Sequence, residues 1–157
     1  MHDKLRFRKA KRSDLAAIVT LLIEDDLGQA RERAVFDDDS QLDERYLKAF
    51  NRIDMDKNQH LVVGEIAGAV VATCHLTLLP SLSFIGSTRM QIEAVRVAES
   101  VRGQQLGKSM MEFAIDWGQV QGATIIQLTT NKLRPRAKQF YDSLGFEATH
   151  DGMKLYL

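Results

Sequence analysis

The chain carries one cysteine, two prolines, one tryptophan and no net charge. A lone cysteine, Cys74, cannot close an internal disulfide, so a reducing cytoplasm is the natural setting. Lys and Arg number 21 and Asp and Glu number 21, which leaves no global field for nucleic acid or a membrane surface. No apolar run reaches membrane-spanning length, and no basic-apolar-small leader opens the sequence. His2, His60, His75 and His150 lack metal-ligand spacing, so no metal is expected. Repeats, low-complexity tracts and Gly/Ser linkers are absent as well. Pro80 and Pro135 both fall at element boundaries.

What is present suits one soluble domain, residues 1–157, with room for a real core: 45% of residues are hydrophobic and 27% charged. The chain is organised around Ile92 to Trp117. Ile92, Val95 and Val97 mark a strand that ends at a turn. Leu106, Met110, Phe113, Ala114 and Trp117 share one face of a helix. Between them lies a basic, glycine-containing loop. A loop that opens a helix leaves backbone N–H groups unpaired, and the helix dipole adds partial positive charge there. Gly103 and Gly107 allow close approach, and Arg102 and Lys108 add full charge. The expected ligand is a phosphate or pyrophosphate.

The rest of the pattern is legible in order. Leu5 to Arg8 alternates as a first strand. Ser13 or Asp14 caps a helix bearing Leu15, Ile18, Val19, Leu22 and Ile23, which is expected to stop near Gly28. A second helix is expected between about Asp39 and Asp54. Asp25-Asp26 and Asp37-Asp38-Asp39 lie between these helices, as solvated charge or as an acidic lip for a cationic amine. His60–Glu65 and Ala69–Leu76 form a hairpin turning at Ile66-Ala67-Gly68. Its second strand carries Cys74 and His75 side by side, hence on opposite faces, which rules out a Cys-His pair. Arg89–Val97, then Thr124–Thr130 after the helix, continue the sheet. Pro135 opens a further helix, and Phe146–Ala148 with Lys154–Leu157 read as a closing pair of strands. The fold class is therefore α/β (α+β), a mixed, mostly antiparallel sheet of six or seven strands with helices on both faces.

Two readings of the loop compete. Gly103 to Ser109 reads G-x-x-x-G-K-S, one residue short of a nucleotide P-loop, and no Asp ends the next strand to hold magnesium. Alternatively, Arg102-Gly103-Gln104-Gln105-Leu106-Gly107 resembles the R/Q-x-x-G-x-G/A pyrophosphate loop of the GNAT superfamily of N-acetyltransferases, with Gln105 where the first motif glycine stands. Ala137-Lys138-Gln139-Phe140-Tyr141-Asp142-Ser143-Leu144-Gly145-Phe146 is similar to that family's Ala-x-x-Phe-Tyr-x-x-Leu-Gly-Phe block. Loop and block in this order, with a strand between, make the joint signal.

The resemblance implies acetyl-CoA as co-substrate, seated in a splay between two central strands. A primary amine is the acceptor, expected to be a small molecule, and attacks directly in a ternary complex. It implies backbone pairing of Val95, Arg96 and Val97 with the pantetheine arm. Arg102, Gly103, Gln104, Gln105, Leu106, Gly107 and Lys108 would hold the pyrophosphate, with Asn131 as a further cofactor contact. Tyr141 would be the general acid for the departing thiolate, its ordinary pKa of about 10 keeping it protonated. Glu93 would be the general base, or else a structural ion pair with Arg89 or Arg96. A homodimer is common in the family. Two alternatives stay open: a non-catalytic acyl-CoA-binding module, kept alive by Gln105, and acetylation of protein lysines or N-termini.

Overall fold

In the computed structural model, residues 4–24 and 42–157 are described. The predicted helix stop at Gly28 and both acidic stretches lie outside those residues. The chain divides into two compact units, Met1–Gln127 and Leu128–Leu157.

The first unit is built on a sheet of order β1-β2-β3-β4-β5. Its strands are β1 (Arg6–Lys9), β2 (Gln59–Ile66), β3 (Ala69–Pro80), β4 (Thr88–Val97) and β5 (Ala123–Leu128). The first four pair antiparallel. The β2–β3 turn works because Ala67 and Gly68 both take positive φ, 52° and 79°. Helices α1 (Leu15–Leu22), α2 (Glu44–Met55) and α3 (Leu106–Val120) belong to this unit, with a short helical turn at Ser83–Gly86 between β3 and β4.

Strand alternation decides which helix packs where. Leu61, Val63 and Thr73 share the face against α1 and α2, where Leu15, Ile18, Val19 and Phe50 are buried. Burying each such apolar side chain contributes about 1.5–3 kcal/mol. The opposite face meets α3: Phe7 lies 5.3 Å from Phe113, and His60 stacks on Trp117. Gly118 lets α3 come close, since a Cβ there would meet Met90 Sδ at 2.8 Å. Helices on both faces are thus as the apolar periodicity predicts. Asp43 caps α2 by accepting the Arg45 N–H at 2.9 Å.

Within the second unit, α4 (Pro135–Ser143) starts at its proline. It ends in a glycine cap: the Phe146 N–H donates to Tyr141 O, the Gly145 N–H donates to Asp142 O, and Gly145 has φ 93°.

The strand count needs correction. The sheet has five strands, and the expected closing pair at 146–148 and 154–157 takes no strand conformation. The alternation that suggested it is real, but Met153, Leu155, Tyr156 and Leu157 stand exposed and bury no face that would fix a register.

Candidate active site

The site begins with a break in a ladder. β3 and β4 pair regularly from Pro80↔Thr88 to His75↔Glu93, then resume at Thr73↔Arg96. One residue of β3, Cys74, therefore faces two of β4, Ala94 and Val95. Ala94 takes φ 52° to make the bulge. A bulge leaves ladder groups unpaired and re-aims the strand beyond it, here at the segment Val95 to Val97 expected to meet pantetheine. Two of its carbonyls already have donors. Arg96 Nη1 donates to Val95 O at 2.8 Å, and Arg102 Nε donates to Val97 O at 3.3 Å.

The basic loop follows as drawn from sequence. A 3₁₀ turn at Glu99–Val101 leads to exposed Arg102, Gly103, Gln104 and Gln105. Gly103 has φ 82° and Gln105 has φ 61°, ψ 21°. Gln105 stands where the resembling motif has glycine, and it adopts the left-handed backbone that glycine takes freely. The departure in residue type thus leaves the backbone in a conformation open to glycine. The first helical bond runs from the Ser109 N–H to Gln105 O, so the N–H groups of Leu106, Gly107 and Lys108 open the helix without intrahelical acceptors. Leu106 is buried and anchors this end, while Lys108 is exposed. Arg102 rests on Glu99 at 3.6 Å and Glu24 at 3.9 Å. Such exposed pairs are worth about 0–1 kcal/mol and yield readily to a doubly charged pyrophosphate. The loop fits that group.

Glu93 differs from expectation in one respect. It was expected as a carboxylate buried on an apolar strand, yet it is exposed. Its cross-strand partner is His75, with no ion pair to Arg89. Arg89 instead donates to Ser83 Oγ and lies over the Phe84 ring. Cys74, on the other face, is wholly buried, and burial pushes its thiol up to about 12.

In the second unit, Tyr141 sits in an aromatic cluster, 5.2 Å from Phe140 and 5.9 Å from Phe146. Asn131 Oδ1 accepts the Leu133 N–H at 2.9 Å, which holds the turn before α4. Lys138 pairs with Asp142 along the helix at 3.0 Å.

One feature has no linear signature: a cavity of about 130 Å³ between α1, α2 and the sheet, floored by Leu61, Thr73, His75 and Ala94. Each strand alone shows only alternation, so the gap exists only once the layers are stacked. Among the described residues no group of three metal-ligating side chains occurs, and no helix is long and apolar enough to cross a membrane.

Residues 19–146 match the Acetyltransferase (GNAT) family. The chain belongs to that family. It is an acyltransferase by family and fold. Among solved structures it resembles a transcriptional regulator from Bacillus halodurans C-125, at 37% identity and TM-score 0.91, over 98% of this chain and 100% of that one. Glucosamine-6-phosphate N-acetyltransferase from Arabidopsis thaliana is similar at 25% identity and TM-score 0.75, over 98% and 99%. A predicted acetyltransferase from Clostridium acetobutylicum, solved with acetyl-CoA, shares the fold at 17% identity and TM-score 0.72, over 98% and 96%. Comparison with curated protein sequences gives no match.

Proposed function

We propose that this GNAT protein moves the acetyl group of acetyl-CoA to the primary amine of a small molecule, by direct attack in a ternary complex. The observation that carries the reading is the left-handed Gln105 at the mouth of α3, which keeps the glycine-type loop open beside Arg102 and Lys108. In this reading Arg102 to Lys108 hold the pyrophosphate. The backbone of Val95, Arg96 and Val97 beyond the bulge pairs with pantetheine, and Asn131 adds a side-chain donor. A backbone N–H at the bulge polarises the thioester carbonyl. Glu93 attracts the ammonium and accepts its proton directly or through water, and Tyr141 protonates the leaving thiolate. The Arabidopsis relative, whose name gives a phosphorylated amino sugar as acceptor, supports a small-molecule amine. The reading takes residues 1–157 as one functional domain, working in the cytoplasm as a homodimer. The single cysteine suits that compartment.

The Bacillus halodurans relative, named as a regulator, favours a second reading in which acyl-CoA is sensed without turnover. A thermal-shift comparison with acetyl-CoA, CoA and ATP–magnesium, followed by an amine acetylation assay, separates the two. Acetyl-CoA at one hundred times its dissociation constant should add about 2.7 kcal/mol of stability. Stabilisation by both CoA species but not by ATP, with turnover, supports the enzyme. Stabilisation with no turnover on any amine favours the sensor. No stabilisation by acetyl-CoA at millimolar concentration overturns both.

A further inference from the structure

The cavity under α1 and α2 suggests what kind of amine the protein accepts. Leu15, Ile18, Val19 and Leu22 line it from α1, and Tyr46, Phe50 and Ile53 from α2. Ala49 and Ala94 also line it and are exposed, and Ala94 is the bulge residue itself. An apolar cavity of about 150 Å³ lined by such side chains is large enough for benzene. At about 130 Å³ this one takes a compact ring or a branched aliphatic group, while a hydroxyl-studded sugar would bury unpaired polar atoms there.

One titratable imidazole reaches this apolar pocket. His75 lines the floor, and its Nε2 lies 2.8 Å from Gln59 Oε1, which fixes the ring. With Nε2–H donating to that amide oxygen, Nδ1 is left as the acceptor. The groups facing His75 from the packed elements are Gln59 on β2, Glu93 on β4 and Tyr46 on α2; α1 presents only apolar side chains.

We propose that the acceptor is a primary amine bearing a compact apolar group seated in this cavity, and that His75, in place of Glu93, takes the proton its ammonium must lose, while the Glu93 carboxylate only attracts the ammonium. This rests on the acetyl-transfer reading above. The ammonium gives one proton to the imidazole, and the freed lone pair attacks the acetyl carbon. The C–N bond forms and the C–S bond breaks. The second nitrogen proton and the one held by His75 leave as the thiolate is protonated, so one net proton passes to solvent. Burial holds the His75 pKa below its ordinary value while Glu93 opposes, so the ring is neutral at physiological pH. The same apolar surroundings lower the pKa of a bound ammonium, which narrows the gap the transfer must cross.

The test compares 2-phenylethylamine and 3-methylbutylamine with glucosamine as acceptors for the purified full chain, in wild type, His75→Gln and Ala49→Leu. Acetyl-CoA thermal shifts are run alongside. We expect kcat/KM at least about tenfold higher for the apolar amines, the discrimination a fitted methylene-sized contact supplies. His75→Gln should cost about 100-fold at neutral pH. Its rate should then climb about tenfold per pH unit above neutrality, as free amine replaces the lost base, where wild type stays level. Ala49→Leu, at an exposed helix position, should raise KM for 2-phenylethylamine with kcat kept. Should His75→Gln not fold, His75→Asn and Ala49→Leu carry the test. Glucosamine preferred, or a pH profile unchanged in the His75 variant, overturns this inference and leaves acetyl transfer standing. Loss of the acetyl-CoA thermal shift in wild type overturns the acetyl-transfer reading itself.

Discussion

The imidazole of His60 lies flat on the indole of Trp117, with 4.6 Å between centroids and 6° between planes. The stack ties β2 to α3, and it is made by a neutral ring. Burial and the nearby Lys9 charge both push the His60 pKa below its ordinary value. In the unfolded chain the same ring protonates at about 6.5. The unfolded state therefore binds more protons as pH falls through that value, and folding stability drops with it. His75, also lowered by burial, adds in the same direction. Calorimetry should show a melting temperature that falls between about pH 7.5 and pH 5.5, with folding free energy lost at no more than about 1.36 kcal/mol per pH unit for each histidine. His60→Phe keeps a stacking ring and should flatten that slope in part. A wild-type profile level across this window would refute the assignment.

Gln105 carries left-handed backbone without the freedom of glycine. That conformation costs an ordinary residue about 1–2 kcal/mol, partly offset by the greater chain entropy glycine loses on folding. Gln105→Gly should thus leave stability unchanged or raise it by up to about 1 kcal/mol. Acetyl-CoA affinity should be kept or improved, since the N–H groups of the loop stay where they are. Urea denaturation and titration calorimetry check both halves. A marked loss of affinity would mean that the Gln105 side chain itself holds the cofactor.

Local signals were enough for most of this architecture. The β2–β3 hairpin, the proline start of α4 and its Gly145 stop each follow from one or two residues with restricted backbone choices. The loop before α3 was legible for the same reason, down to the charged residues on its surface. The bulge was not, because Ala94 looks like any strand residue until its partner strand is in register. Exposure of Glu93 was hidden too, because it depends on what the neighbouring layers leave uncovered. The closing strands failed in the opposite way: Lys154–Leu157 has the right alternation, but alternation makes a strand only where a neighbour accepts it.

Arg8 joins three elements at the edge of the sheet. Its Nη1 and Nη2 donate to Asp14 at 2.7 and 3.0 Å, and its Nε donates to Glu65 at 3.1 Å. Asp14 also accepts the Lys11 N–H at 2.7 Å, closing the turn that feeds α1. It is nearly buried, so removing its charge strands the guanidinium. Asp14→Asn should cost about 3 kcal/mol at neutral pH. The Arg8 hydrogen bonds hold the Asp14 carboxyl below its ordinary value. Its stabilisation is therefore full above about pH 4 and is lost as pH falls through the lowered folded value. Urea midpoints of wild type and variant should differ widely at pH 7 and draw together as pH falls below about 4. Equal midpoints at pH 7 would show the pair to be energetically idle.

Tyr141 offers the cleanest separation of chemistry from packing. Its ring is fixed by Phe140 and Phe146, and phenylalanine preserves those contacts while deleting one hydroxyl. If that hydroxyl protonates the departing thiolate, Tyr141→Phe should lower kcat by about 100-fold, a general acid's usual share. Acetyl-CoA binding should survive, because the pyrophosphate loop and the β4 backbone are untouched. A thiolate is a tolerable leaving group without help at high pH, so the deficit should shrink as pH rises toward the ordinary thiol pKa of about 8.5. Stability should change by less than about 1 kcal/mol, or roughly 2–4 °C in melting temperature for a chain of this size. The opposite pattern, a lower melting temperature with kcat intact, would make Tyr141 a packing residue and move the search for the acid elsewhere.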